Sequence, residues 1–431
     1  MRFAFASLGS LFTLVVGLAG SVVLTRLLGL EGRGAFALAF RSAGILAAAA
    51  QWGMPEMMMG MLRSGGHSGG AVLGTGLALV TLTVLVLGTI TLAAAPMLET
   101  TVLRGVPTSV LALMVVSTLF TVSYTLLRRV IQLRGSLVAY NVVELLKSVV
   151  FLTLVALIVF NARDQLQGAV LAYLVAELIF AFFCAAFVWR KLERAWTIDL
   201  SLGSRLARSG LLIQTGMVAT FLASQAGVFI VNVWGTLADV GYYATALGLA
   251  TYVTYVSASI RTVLHVRMMG TDGQERPLAG LTAAIARHTL VWLIAGAAFL
   301  AIVGRPIIGT LYGSEFEPSY SSLIWLLPGV VCVGMQQILA SYFNARSEFR
   351  LPAAGAFIAA TVGILLQLSL TPMFGANGAA VGFSMGHASA ASMYLVMFCR
   401  RSGQSMSTIL PTVDEVHFYR ALARRIIWAQ R

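Results

Sequence analysis

Few residues in this chain can do chemistry, so the depth at which each sits is informative. Lys147 lies about ten residues into a strongly apolar run, roughly 15 Å along a helix rising 1.5 Å per residue. An ionisable group at that depth is costly and normally faces a wet interior. Lys147 is therefore a candidate anion ligand, while Glu144, three residues earlier on the same helical face, is the group that would neutralise it instead. Arg41 sits inside the second apolar run and Arg26 closes the first. A guanidinium binds phosphate bidentately and stays charged, which makes both candidate cavity cations. Arg26 can alternatively snorkel to headgroups, and Arg41 can contact Glu31 or Glu56. Glu177 and His387 fall the same distance past two matching Gly-Ala steps. A carboxylate and an imidazole at equal depth are candidates for proton coupling or for buried hydrogen bonding. Asn141 and Gln225, with Asn232, Gln336 and Gln337, can meet sugar hydroxyls or bind helices to one another.

The elements that carry these groups must be membrane helices. Of 431 residues, 58% are hydrophobic and only 10% charged, and the mean hydropathy is +0.88. That leaves too little polar surface to cover a water-soluble globule. Cys184, Cys332 and Cys399 all lie in apolar runs, so neither a disulfide framework nor a clustered metal site is expected. No cofactor is implied. The first run is too long and lacks the small-residue cleavage site of a secretory signal, so it is read as a retained span.

Twelve runs are long enough to cross a hydrocarbon core as helix. Most of the 29 basic residues fall in alternate connections when both termini are placed in the cytoplasm; Arg33, Arg104, Arg163 and Arg305 fall in the outer loops. The net charge of +13 then reflects topology and anionic-lipid contact, and nothing in it calls for nucleic acid. The two halves repeat. Gly34-Ala-Phe-Ala-Leu-Ala matches Gly241-Tyr-Tyr-Ala-Thr-Ala, and residues 168–191 align without a gap on 378–401. The expected fold is all-α, with twelve transmembrane helices in two six-helix lobes; six being even, the repeat is parallel. Expected boundaries are an N-terminal lobe at 1–191, a cytoplasmic linker at 192–208, a C-terminal lobe at 209–401 and a basic amphipathic tail at 402–431 resting on the inner leaflet. Gly53-Met-Pro55 and Pro328-Gly329 mark bends in the second and tenth spans. The glycine-rich stretch 65–70 lacks the Lys and strand of a phosphate loop.

The segments RLLGLEGRGAFALA, GYYATA, PIIGTLYGSEF and TPMFGANGAAVGFS, in this order and spacing, resemble the Wzx-like polysaccharide or oligosaccharide flippases. That branch belongs to the superfamily that also holds MATE antiporters and lipid II flippases. The resemblance runs from about residue 5 to 401. It implies a MATE-like, two-lobed exporter, not an enzyme, in the bacterial cytoplasmic (inner) membrane. The implied substrate is a polyprenyl-diphosphate-linked oligosaccharide for a cell-surface polysaccharide such as O-antigen or exopolysaccharide. Membrane lipids, and possible polymerase and export machinery, are the implied partners. A drug antiporter of the same fold would be expected to carry acidic residues in the first or seventh span, where this chain has none. A membrane polymerase or glycosyltransferase would need a large outer loop or a clustered acidic site, and the acidic residues here are scattered.

Overall fold

Glycine sets the joints of this molecule. The computed structural model describes residues 2–64, 68–134, 137–191, 196–255, 257, 275–346 and 348–411. Helix α1 (Arg2–Ala50) is broken at Gly29, and α12 (Arg350–Ser402) at Gly375. Their φ values of 65° and 55° lie in the left-handed region that costs a glycine nothing, so a single residue reverses the chain between two spans. Between them lie α2 (Met54–Ser64), α3 (Gly69–Ala93), the short α4 (Ala95–Thr100), α5 (Thr108–Arg134) and α6 (Leu137–Leu154), which runs into a π-helical turn at Val155–Val159. Then follow α7 (Gln165–Lys191), α8 (Leu200–Trp234), α9 (Leu237–Thr251), α10 (Glu275–Leu311) and α11 (Ser319–Ala345).

Among the described residues nine helices are long and apolar enough to cross a membrane. Two of these are the merged pairs in α1 and α12, and α9 adds another crossing, which yields the twelve spans expected. Large apolar side chains such as Leu82, Leu85, Ile90, Phe182, Phe299 and Ile302 stand exposed on the outer surface, as they can when lipid is the solvent. Helix starts are capped by Ser68, by Asp199, and by Thr236 in a reciprocal capping box with Asp239. Asp199 begins α8 at Leu200, so the stretch expected as linker is already helical over its second half. Its carboxylate is held below the usual range, first by the Ser201 hydroxyl and then by the Leu202 amide. The amphipathic helix expected after Pro411 and the core of the 65–70 loop lie outside the described residues.

The bend expected at Gly53 is a full break. Trp52 and Gly53 both have positive φ, at 50° and 60°. A non-glycine residue there needs support, and the Trp52 indole donates to Thr83 Oγ1 at 2.8 Å. Gln214 of α8 repairs the ladder, accepting from Gly53 N at 3.0 Å and donating to Ala48 O. Polar backbone in a membrane interior must be satisfied somewhere, and here a side chain of the other lobe does it. The Pro328-Gly329 bend is handled similarly inside one lobe. Ser384 Oγ inserts between Trp325 O at 2.5 Å and Gly329 N at 3.0 Å, keeping α11 continuous through its proline.

Repeat symmetry is visible where the lobes touch. A Cβ on Gly34 would strike Leu237 O, and one on Gly241 would strike Leu30 O, so the repeat-related glycines face each other in reciprocal backbone contact. An apolar core containing Phe36, Leu38, Val110, Leu111, Tyr243 and Leu247 surrounds this contact and is shared by both lobes.

Candidate functional site at the lobe interface

Among the described residues, two groups of charged side chains within the membrane region differ in whether their charges are matched. The first is inside the N-terminal lobe. Tyr124 and Arg128 on α5, Glu144 and Lys147 on α6, and Tyr173 and Glu177 on α7 are spaced three or four apart, so each pair shares a helical face. Arg128 Nη1 meets Glu144 Oε2 at 2.6 Å, and the Tyr124 hydroxyl donates to the same oxygen at 2.8 Å. The Arg128 guanidinium also stacks 3.7 Å over the Tyr140 ring. Lys147 Nζ lies 2.7 Å from Glu177 Oε1 and 4.0 Å from the Tyr124 ring centroid.

Lys147 is therefore neutralised, but by Glu177 rather than by Glu144, which Arg128 has taken. Spacing along one helix identified the nearest carboxylate in sequence; the third dimension supplied a better-buried one, Glu177 being 1% exposed. Two cations answer two carboxylates, so the cluster as a whole carries no surplus positive charge. Asn141 is half-buried on α6, one turn before Glu144.

The equivalent region of the C-terminal lobe, around His387 and Gln336, is polar without charge pairs among the described residues. His387, 4% exposed, packs on Phe383 at 4.5 Å, and its Nδ1 lies 3.4 Å from Gln336 Oε1. Gln336 Nε2 donates to the His387 carbonyl at 2.6 Å. Glu177 and His387 thus occupy matching depths in separate lobes and do not meet.

The second charged group is unmatched and lies between the lobes. Arg33 and Arg41 stand two turns apart on the second segment of α1, close enough for their charges to repel. Each guanidinium has a buried Nε without a hydrogen-bond partner, and among the described residues neither has an ion-pair partner. Arg33 points across to the other lobe, within electrostatic reach of Tyr252 and Tyr312, its Nη2 4.0 Å from where a Cβ on Gly248 would stand. Arg41 faces Tyr243 of α9, whose hydroxyl is buried and unpartnered. Gln225, with an unpartnered Oε1, lies one turn beyond Phe221, the ring that packs against Gly44 of the second span. The interface thus holds two bare cations and several free hydrogen-bonding groups. Such a site suits an anion with several oxygens.

Arg33 was expected in a loop and is helical, because only Gly29 in the run Gly29-Leu-Glu-Gly-Arg-Gly34 takes a loop conformation. Its signal in the sequence was the arginine eight residues before Arg41, hidden by two flanking glycines that read as a turn. Gln214 was missed because it sits in an apolar run without any distinguishing pattern, and Tyr243 because its segment, GYYATA, reads only as a repeat and helix-start pattern. Arg26, expected in the cavity or at the headgroups, is exposed and donates to Leu311 O at 2.7 Å and Thr310 O at 2.6 Å, the C-terminal carbonyls of α10. Helix ends carry unsatisfied carbonyls and a partial negative charge, which is what draws it there. No group of metal-ligating side chains occurs among the described residues.

Known proteins resemble this chain in fold. No curated protein matches the sequence. A lipid II flippase, MurJ, solved in an inward closed conformation superposes with a TM-score of 0.78 at 14% identity, covering 92% of this chain and 89% of that one. A multidrug resistance MATE family transporter of the MOP superfamily, in its inward-facing conformation, gives 0.73 at 14% identity over 94% and 98%. An outward-facing MATE family structure gives 0.64 at 15% identity over 92% and 95%. The family model described as polysaccharide biosynthesis protein matches residues 23–321. With most of its length covered by that model and its helices arranged as in the MurJ and MATE transporters, the chain belongs to the polysaccharide biosynthesis protein family.

Proposed function

We propose that the protein is a flippase that moves a polyprenyl-diphosphate-linked oligosaccharide across the bacterial cytoplasmic membrane by alternating access, for export of a cell-surface polysaccharide. The observation that carries this reading is the unpaired Arg33 and Arg41 at the lobe interface. Two guanidinium groups without counter-ions, inside a region of low dielectric, are held at a cost that an arriving diphosphate offsets by bidentate hydrogen bonds. Tyr243 and Gln225 supply neutral groups beside them for sugar or phosphate oxygens. The paired Lys147 contributes to this reading as a positioning element of the N-terminal lobe rather than as a free charge. In this reading both termini and the Gly53 end lie in the cytoplasm and the Gly29 end outside, an orientation that the distribution of Arg and Lys supports.

The test is made in cells of the native host lacking this gene. Polyprenyl-linked oligosaccharides are extracted, and the fraction reached by an impermeant glycan-modifying reagent in spheroplasts is measured. Complete but inaccessible lipid-linked units, made accessible by restoring the gene, are the expected result. An unchanged, accessible pool sinks the reading and points to a small-molecule antiporter instead. Restoring the gene with Arg33→Ala together with Arg41→Ala is expected to leave the units inaccessible while the protein inserts normally. Full accessibility with that double variant removes the two arginines from the mechanism.

A further inference from the structure

The Gly29 end of the molecule carries two cross-lobe contacts that are related by the internal repeat. Arg26, at the end of the first span, donates to the carbonyls of Thr310 and Leu311, where the ninth span ends. Asn232, at the end of the seventh span, donates to the carbonyls of Val102 and Arg104, in the turn that follows the third span. The seventh span is the repeat of the first, and the ninth is the repeat of the third. At the offset that lays Gly34 on Gly241, Asn232 aligns with Thr25, the neighbour of Arg26. Each lobe thus ends its first helix in a donor that grips the carbonyls behind the third helix of the other lobe. Between the two grips lies the reciprocal contact of Gly34 and Gly241.

We propose that Arg26 and Asn232 are the two halves of a latch that holds the Gly29 end shut, and that both are released when that end opens. The proposal rests on the alternating-access reading only in taking the lobes to separate; it makes no use of the substrate. The chemistry suits a reversible contact. The carbonyls accepting from Arg26 are at a helix end exposed to water, so on opening they and the guanidinium exchange one another for solvent, at little cost. Asn232 is 1% exposed, and its Oδ1 has no partner, so it gives the closed state two hydrogen bonds and leaves its acceptor idle. The turn it grips is rigid. Leu103 N bonds Leu98 O at 2.8 Å, Val106 N bonds Leu103 O at 3.0 Å, and Gly105, with φ 79°, lets the turn lie against Leu237. A grip on that turn is therefore a grip on the whole third span.

A cysteine reporter reads the latch directly. Gly248 has room for a side chain, the one atom near its Cβ position being Arg33 Nη2, so Gly248→Cys places a thiol in the interface. In a chain with Cys184, Cys332 and Cys399 replaced by Ala, its labelling by an impermeant maleimide added outside spheroplasts is followed over time. Each rate is scaled to the thiol that reacts after solubilisation, so poor insertion does not mimic a closed latch. Arg26→Gln and Asn232→Leu are each expected to speed labelling about ten-fold, equivalent to roughly 1.4 kcal/mol in the opening equilibrium, and the pair together more than either alone. Arg26→Lys, which keeps the charge but cannot fork across two carbonyls, is expected to fall between. Arg104→Gln is the control, because among the described residues the Arg104 side chain reaches only Thr100 in its own turn. Unchanged rates in the double variant overturn the latch, as does an equal increase from Arg104→Gln. The spheroplasts are made from cells that produce no lipid-linked oligosaccharide, so a failure of the substrate reading leaves these rates as they are.

Discussion

The interiors of the two lobes descend from one pattern and are stabilised differently. At matching depth the N-terminal lobe holds the Lys147–Glu177 and Arg128–Glu144 pairs, whereas the C-terminal lobe holds His387, Gln336 and Ser384 with hydrogen bonds alone. The difference shows that a repeat conserves where polar groups are needed, to join helices in a medium without water, more firmly than it conserves what those groups are. Ionic joints are brittle: losing one partner strands a charge. Neutral joints lose only hydrogen bonds.

Substitutions test that contrast directly. Glu177→Leu leaves Lys147 charged and unpaired in the lobe interior, and is expected to destabilise the protein by about 3–5 kcal/mol, measured by thermal unfolding in detergent. Adding Lys147→Met should recover most of the loss; a double variant as unstable as the single one would show that the carboxylate, not the pairing, is what matters. In the other lobe, Gln336→Leu removes both contacts to His387 and should cost about 1–2 kcal/mol. Equal losses from Glu177→Leu and Gln336→Leu would erase the distinction between the lobes. Glu144→Gln probes the edge of the ionic cluster, where Arg128 and Glu144 are 18% and 33% exposed and the amide still accepts from Tyr124. It should cost below about 1 kcal/mol, and a larger loss would extend the brittle interior out to that pair.

Much of the architecture could be read from the residues. The twelve spans, the parallel repeat and the break at Gly53 follow from hydropathy, offset identity and glycine, because lipid imposes one solution on the backbone. Lys147 and Arg41 stood out by depth alone. Partnership was another matter. Helical spacing reports neighbours on one helix, so it offered Glu144 to Lys147 and could not see Glu177 on α7. Arg33 was obscured because Gly32 and Gly34 look like turn residues, although Gly34 is there to let two helices touch. Gln214 had no signal at all, since its task, closing the gap between Ala48 and Gly53, exists only once the lobes are assembled.

The one-residue joints at Gly29 and Gly375 have a consequence for what the protein displays. Together with the two-residue turn Gly235-Thr236, they leave the face on that side almost without loops, its largest features being the segments 101–107 and 312–318. A face made of helix ends offers proteases few extended strands to cut and antibodies few epitopes to hold. Any tag or inhibitor meant to act from that side must be built onto those two short segments; the opposite lobe already grips the first at Val102 and Arg104, and the helix end just before the second at Thr310 and Leu311.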